Sequence, residues 1–422
     1  MSGREVVVTG IGIVTALGIG AADNWAAMRE GRSGARMLTR FPVEGQRTQF
    51  AAAVPLAGTE GQRPGDLAEH YGALAIEEAL AESGLGGSAF PGPLVIGLPP
   101  IFLDWPDRLA LAAGAEMPAG GDTALLAVAG QPGFRPLYGR IRSHHVAARL
   151  ADRFAIRDMP VVLSTACSSG ATAIQTAAEA ITRGDCEAAI AGGADASLSP
   201  EMLTRFSLLA ALSRRNDSPE TASRPFDVDR DGFVPGEGAG ALVLESRAAA
   251  EARGARILGR IAGWGETTDG HHRTRSDPSG MPAATAMRAA IARAGLAPDD
   301  IDYVNAHGTS TPENDKMEAL SCGLVFGERM PRLPVSSTKS MIGHTLSAAG
   351  AIEAVAVLMM LREQVILPTI NIETQDPEIA LDPVAEGARP ARLRHVLSNS
   401  FGFGGQNACL VLSAGPGNRA GG

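Results

Sequence analysis

Apolar residues fall into two rhythms along this chain. Short, nearly unbroken apolar runs alternate with longer stretches in which apolar positions recur every three or four residues. The first kind predicts strands at Glu5 to Thr9, Leu94 to Leu98, Val161 to Leu163, Glu187 to Ala191 and Ala239 to Glu245. It predicts others at Ile257 to Trp264, Ile301 to Asn305, Val396 to Ser400 and Ala408 to Ser413. Unbroken runs suit strands covered on both faces. The second kind predicts helices over Asp23 to Arg29, Asp66 to Ser83, Ser143 to Phe154 and Ala284 to Ala294. Another follows Gly170, where Ala171, Ile174, Ala177, Ala178 and Ile181 share one face and Gly184 stands as a stop. Ala348 to Leu361 is apolar almost all round, which predicts a buried helix. Two rounds of strand and helix imply an α/β architecture of two similar layered halves. The expected division is residues 1–255 and 256–422.

Several stretches break the rhythm. Residues 30–70 are irregular and rich in Gly, Arg and Pro, and residues 213–238 form a long polar loop region. Pro99 to Trp105 suits neither a helix nor a central strand. Residues 112–135 are expected as a surface excursion. The Gly10-Ile11-Gly12 turn invites a dinucleotide-binding reading, but Thr15 stands where the third glycine belongs and no helix opens there.

Composition narrows the class. The chain has 422 residues, 45% of them hydrophobic, enough for a large core. A net charge of −9 argues against nucleic-acid binding, so an acidic partner needs a local basic patch. Cys167, Cys186, Cys322 and Cys409 form no C-x-x-C pair and read as reduced thiols of a cytoplasmic protein. Neither a signal peptide nor a membrane span is expected.

The candidate chemistry centres on Ser164-Thr-Ala-Cys-Ser-Ser-Gly170. Cys167 sits on a strand-to-helix turn, where free N–H groups and the helix dipole favour a thiolate. Small neighbours let a substrate approach. The stretch alone fits a nucleophile and a buried structural cysteine equally well. His307 and His344 also follow short apolar runs, and the three together match nucleophilic cysteine catalysis. The buried-looking helix after Lys339 carries one early acid, Glu353, which needs a cation if buried; a Lys339–Glu353 pair near the site is inferred.

Ser-Thr-Ala-Cys-Ser-Ser-Gly, Asn-Ala-His-Gly-Thr-Ser-Thr, Ser-Thr-Lys-Ser-Met-Ile-Gly-His and Asn-Ser-Phe-Gly-Phe-Gly-Gly together resemble the signature set of the β-ketoacyl-[acyl carrier protein] synthases, elongating Cys-His-His type. The resemblance runs from Val6 to Leu412. It implies the thiolase-like fold, two βαβαβαβ halves in a five-layer αβαβα sandwich. It also implies decarboxylative condensation of an acyl group held on Cys167 with malonyl-carrier protein. His307 and His344 would donate to the malonyl carbonyl as it becomes an enolate. The N–H groups of Cys167 and Phe403 would form the oxyanion hole. Lys339 and Glu353 would hold the charge network, and Asp315 would help hold an imidazole. Thr309 and Thr311 would bind the pantetheine arm, with Thr274 at its entrance. Phe401 and Gly402 would line the site, and Phe403, flanked by glycines, would gate it. The implied partners are acyl carrier protein and a second subunit, identical or related. No metal or resident cofactor is implied; the pantetheine arrives on the carrier.

Two stretches depart from that pattern. Gly97-Leu-Pro-Pro-Ile101 replaces a glycine-rich turn; the resemblance places this stretch at the far end of the acyl pocket, close to the dimer partner, so Ile101 or Phe102 is expected to contact the acyl tail, the alternative being that they pack in the dimer interface. Asp66-Leu-Ala-Glu-His70 replaces a basic helix, so Arg214, Arg215, Arg273 and Arg275 are the alternative carrier-docking patch. A thiolase would need a second cysteine within residues 401–406, and an initiating synthase an asparagine in place of His344. A non-catalytic chain-length partner usually lacks the nucleophile.

Overall fold

The first strand does not stop at its glycines. In the computed structural model, which describes residues 4–58, 62–87, 89–102, 104–114 and 131–415, β1 runs from Val6 to Thr15 and is buried throughout. A Cβ on Gly10 would lie 2.0 Å from the carbonyl oxygen of Ala79, and one on Gly12 would lie 1.9 Å from that of Ala75. Both alanines belong to helix α1, Pro64–Ser83. The glycines mark where a helix lies directly on the strand, which corrects the expected end at Thr9.

Nine further principal strands follow: β2 (Leu94–Gly97), β3 (Val161–Leu163), β4 (Ala188–Asp195), β5 (Gly238–Ser246), β6 (Gly259–Thr268), β7 (Tyr303–Asn305), β8 (Val335–Ser336), β9 (His395–Phe401) and β10 (Gln406–Ala414). Their order is β3-β2-β4-β5-β1 and then, across a shared edge, β6-β10-β9-β7-β8. In the first group β2 pairs parallel with β3 and β4, while β4–β5 and β5–β1 are antiparallel. In the second, β7 pairs parallel with β8 and β9, while β9–β10 and β10–β6 are antiparallel. Counted within each group, the strand order is the same. The groups join where Val6–Val8 pairs with Gly259–Ile261.

The helices used below are α1, α2 (Ser143–Arg153), α3 (Ser169–Arg183), α4 (Met281–Arg293), α5 (Pro312–Phe326), the short α6 (Lys339–Ile342) and α7 (Ala349–Glu363), with others elsewhere. α3 and α7 pack on each other between the two groups of strands; α1 and α2 cover one outer face, and α4 and α5 the other. The result is the αβαβα sandwich. The middle layer is dry: Ile174, Ile181, Ile352, Val355 and Leu358 are at most 1% exposed. Helix α5 carries only a short buried stripe, too broken by polar positions to be legible from periodicity. Pro312 at its start and Thr311, which accepts from the N–H of Asn314, fix where it begins.

Residues 99–102 are neither helix nor strand, as expected; the strand before them ends at Gly97 rather than Leu98, and Trp105, expected in the irregular stretch, opens a helix, Trp105–Gly114. Leu103 and residues 115–130, part of the expected surface excursion, lie outside the described residues.

Candidate active site

β3 leads through Ser164 and Thr165 into one 3-10 turn, Ala166–Ser168, and then into α3. Ala166 has a φ of 50°, a left-handed conformation that costs a non-glycine residue ~1–2 kcal/mol. Local bonds hold it: the Thr165 N–H donates to Ser169 Oγ at 2.9 Å, and Ser169 Oγ donates to the Ala166 carbonyl at 2.6 Å. Of the small neighbours of Cys167, Ser168, Ser169 and Gly170 are buried and Ala166 stays exposed. A Cβ on Gly97 would lie 2.5 Å from the Ser169 carbonyl carbon, and one on Gly170 would lie 2.7 Å from the Ala351 nitrogen. Those contacts bring the start of α3 against β2 and against the start of α7. They also bring Cys167 to the segment that carries Lys339 and His344.

His307 follows β7. Its N–H and that of Gly308 each donate to Glu318 at 2.8 Å, and Asn399 donates to the same carboxylate at 3.0 Å. Glu318 is missed by the sequence reading. Its signal is its place on one stripe of α5 with Cys322, Val325 and Phe326, all buried. His344 lies between α6 and α7. Its Nδ1 accepts from the Leu346 N–H at 3.3 Å, which places the imidazole proton on Nε2. The two rings meet edge to face with centroids 5.2 Å apart. Burial pushes both imidazoles well below the usual histidine range, and the Lys339 ammonium pushes the same way. Both are therefore neutral at neutral pH.

Lys339 and Glu353 form the inferred pair, Nζ to Oε1, with side chains 2% and 1% exposed. Burial raises the Glu353 carboxyl, and Lys339 opposes the rise. Lys339→Ala leaves that carboxylate without its cation, a change that costs ~3–5 kcal/mol. A lower melting temperature together with lost activity is expected. Lys339→Met combined with Glu353→Gln should recover the melting temperature and not the activity. Melting of Lys339→Ala at the parent temperature would contradict the buried pair.

Burial lifts the Cys167 thiol to about 11, against the N–H groups of Phe403 and Cys167 and the charge of Lys339, which act to lower it. The helix end that favours a thiolate is present, but desolvation outweighs it. Cys167, His307, His344, Phe401, Gly402 and Phe403 line one cavity of about 330 Å³. Gly402 packs closely there: a Cβ on it would lie 3.1 Å from the Thr165 carbonyl oxygen and 3.3 Å from the Cys167 nitrogen. Gly404 and Gly405, with φ of 93° and 88°, bend the chain after Phe403. Thr274, Thr309 and Thr311 lie along the same cavity, with the last two hydroxyls 2.9 Å apart. Phe206, Phe233 and Leu346 form apolar wall that the sequence reading passed over. Phe233 also meets the His344 ring edge to face at 5.3 Å.

Three expected site residues lie off this cavity. Asp315 touches neither imidazole. Its carboxylate accepts from the N–H groups of Phe226 (3.0 Å) and Ser310 (3.2 Å) and from the Asn314 side chain, and it faces Arg230. Phe102 is 4% exposed in the outer core with Leu98, Val146 and Leu150, because its N–H bonds the Ile141 carbonyl and turns the ring inward. Ile101 is 47% exposed and bridges to Arg142. Neither lines the cavity of its own chain. Of the four arginines, Arg273 and Arg275 stand exposed at the cavity, while Arg215 is engaged by Asp231 and the Asp229 carbonyl.

Two like halves around a paired central helix layer, with a cysteine at the N-terminus of one of those helices, define a thiolase-fold enzyme. The chain belongs to the β-ketoacyl synthase family. The profile "Beta-ketoacyl synthase, N-terminal domain" matches residues 3–250, and "Beta-ketoacyl synthase, C-terminal domain" matches residues 258–373. The chain is 37% identical to "3-oxoacyl-[acyl-carrier-protein] synthase 2" of Coxiella burnetii, over 98% of this chain and 99% of that one. It is 38% identical to "Putative polyketide beta-ketoacyl synthase 1" of Streptomyces cyaneus, over 99% of both. Among solved structures it is similar to "The ishigamide ketosynthase/chain length factor", with a TM-score of 0.84 and 33% identity over 98% of this chain and 100% of that one. The chain is an acyltransferase of the elongating type.

Proposed function

We propose that this enzyme condenses an acyl group held on Cys167 with malonyl-[acyl carrier protein], releasing carbon dioxide and β-ketoacyl-[acyl carrier protein]. The observation that carries the reading is the convergence of one thiol and two neutral imidazoles on a single cavity. In the first step the Cys167 sulfur attacks the acyl thioester of the carrier. The carrier's pantetheine thiol leaves and takes up the proton that Cys167 gives up. The N–H groups of Cys167 and Phe403 hold the oxyanion. In the second step the malonyl carbon–carboxyl bond breaks, and its electron pair becomes an enolate whose oxygen accepts from His307 and His344. The enolate carbon then attacks the Cys167 thioester, and the sulfur leaves as thiolate. Lys339, held by Glu353, supplies positive charge beside both imidazoles and the sulfur. Glu318 takes over the holding role first expected of Asp315.

Thr274, Thr309 and Thr311 receive the pantetheine arm, Phe401 and Gly402 shape its end, and Phe403 gates it. Phe206, Phe233 and Leu346 take the acyl tail. Arg273 and Arg275 meet the acidic carrier. The nucleophile lies in the half before residue 255 and both imidazoles in the half after it, a division that the repeated strand order supports. No resident cofactor takes part. The subunit pairs with a second copy or with a related chain. Placement in the cytoplasm fits the unpaired cysteines; among the described residues no helix is long and apolar enough to cross a membrane. Purified protein should carry an acyl group on Cys167 after incubation with acyl-carrier protein, read as a mass increment. It should release carbon dioxide from malonyl-carrier protein. Absence of both would overturn the reading.

A further inference from the structure

Asp195, the last residue of β4, is 1% exposed. Among the described residues no cation forms an ion pair with it. A carboxylate so placed is costly unless hydrogen bonds hold it. It accepts from the Ser197 N–H at 2.9 Å and from the Ser347 N–H at 3.1 Å. Burial still pushes it up to about 6, while the Ser197 and Ser347 bonds pull it down.

Ser347 is the middle of the one-turn helix Leu346–Ala348 that follows His344. That turn lies directly on the end of β4: a Cβ on Gly193 would be 2.8 Å from the Ser347 carbonyl oxygen and 3.1 Å from Ala348 Cα. Leu346 has a φ of 47°, a conformation unfavourable for leucine. It is in this conformation that the Leu346 N–H reaches His344 Nδ1. An unfavourable turn needs an anchor. β4 supplies a stiff one, because it is paired on both sides, by β2 and by β5. With the anchor removed, the turn relaxes, the Leu346 N–H leaves Nδ1, and the proton is free to move there. The imidazole then turns a bare Nε2 away from its donor role.

We propose that Asp195 is a positioning residue for His344: its carboxylate holds the turn that keeps the imidazole proton on Nε2. Asp195 does not line the cavity, so it acts through His344 and not on the substrate. The inference rests on the proposed role of His344 as a donor to the malonyl carbonyl. It also makes the two half-reactions respond differently. The charge of Asp195 disfavours the Cys167 thiolate. Its removal should therefore leave the thiol as reactive as before, or more so.

Asp195→Ala is expected to lose ~10- to 100-fold in decarboxylation of malonyl-carrier protein, less than the ~10²–10³ of an outright lost donor. Iodoacetamide should alkylate its Cys167 at the parent rate or faster. Asp195→Asn keeps one acceptor for two N–H groups and should lose about 3- to 10-fold with the same selectivity. In histidine-labelled protein, the ¹⁵N signals of His344 should move from the Nε2–H pattern toward a mixture of tautomers. His344→Ala is measured beside both. If His344→Ala itself keeps decarboxylation, the role of His344 fails. If it loses decarboxylation while whichever Asp195 variant folds keeps the parent rate, or loses decarboxylation and alkylation equally, the inference about Asp195 alone is overturned.

Discussion

Cys167→Ala is expected to fold, to bind malonyl-carrier protein, and to form no carbon–carbon bond. The sulfur is one atom in an apolar cluster with Met202, Leu203, Phe233, Leu346 and Phe403. Its loss leaves a small void and costs ~1 kcal/mol of stability. The chemistry has no substitute for it. Among the described residues Cys167 is the one thiol on the cavity; Cys322 and Cys409 are buried in the outer core of the other half. The bonds that hold the imidazoles do not involve the sulfur: His307 and Gly308 on Glu318, and Leu346 on His344. Decarboxylation of malonyl-carrier protein should therefore continue in Cys167→Ala without an acyl acceptor, releasing carbon dioxide and acetyl-carrier protein. Product chromatography and carbon dioxide release, measured on the same sample, separate the two steps. Condensation product from this variant would overturn the nucleophile assignment. Loss of decarboxylation as severe as the loss of condensation would mean that the sulfur helps to hold the malonyl group.

The parts of the site that were legible in the sequence are those with local punctuation. The Cys167 turn shows as a short apolar run, small residues, a three-to-four stripe and a terminal glycine; Gly184 caps α3 with φ of 85°. The Lys339–Glu353 pair is legible because one acid in an apolar helix has few ways to be satisfied. What was not legible depends on contacts distant in sequence. Gly10 and Gly12 look like a turn until α1 lies on them. Glu318 reads as one more polar residue of a mixed helix, although its spacing from Cys322 and Val325 is a faint sign of burial. Asp195 is an ordinary acid after a glycine pair until Ser347, far along the chain, donates to it. Two opposing effects act on the Cys167 thiol. The helix end is visible as a sequence pattern, whereas the desolvation that exceeds it depends on what closes over the sulfur, Phe403 and Leu346 included. The side on which Phe102 packs is illegible for a related reason. The double proline fixes the backbone, but a backbone bond to Ile141 decides which way the ring faces.

His307→Ala and His344→Ala should each slow decarboxylation by ~10²–10³, and each should slow acylation of Cys167 far less. The enolate oxygen gains charge only as carbon dioxide leaves, so a donor aimed at it acts on that step. Acyl transfer to Cys167 draws instead on the N–H groups of Cys167 and Phe403, which both variants keep. His344→Gln retains an N–H donor at about the same reach and should recover part of the loss. The protonation state follows with a definite sign. Burial and Lys339 depress both imidazoles, so each stays neutral as pH falls through the usual histidine range and takes a proton only well below it. Their ring C–H resonances should therefore hold still between about pH 8 and about pH 6, where an exposed histidine titrates. A neutral imidazole donates without placing a second buried cation beside Lys339, which explains why burial here serves the reaction. Single-turnover measurement of the two half-reactions checks the assignment. An equal loss in both, or an imidazole that titrates near pH 6.5, would show that these histidines act as charged groups on the acyl-transfer step instead.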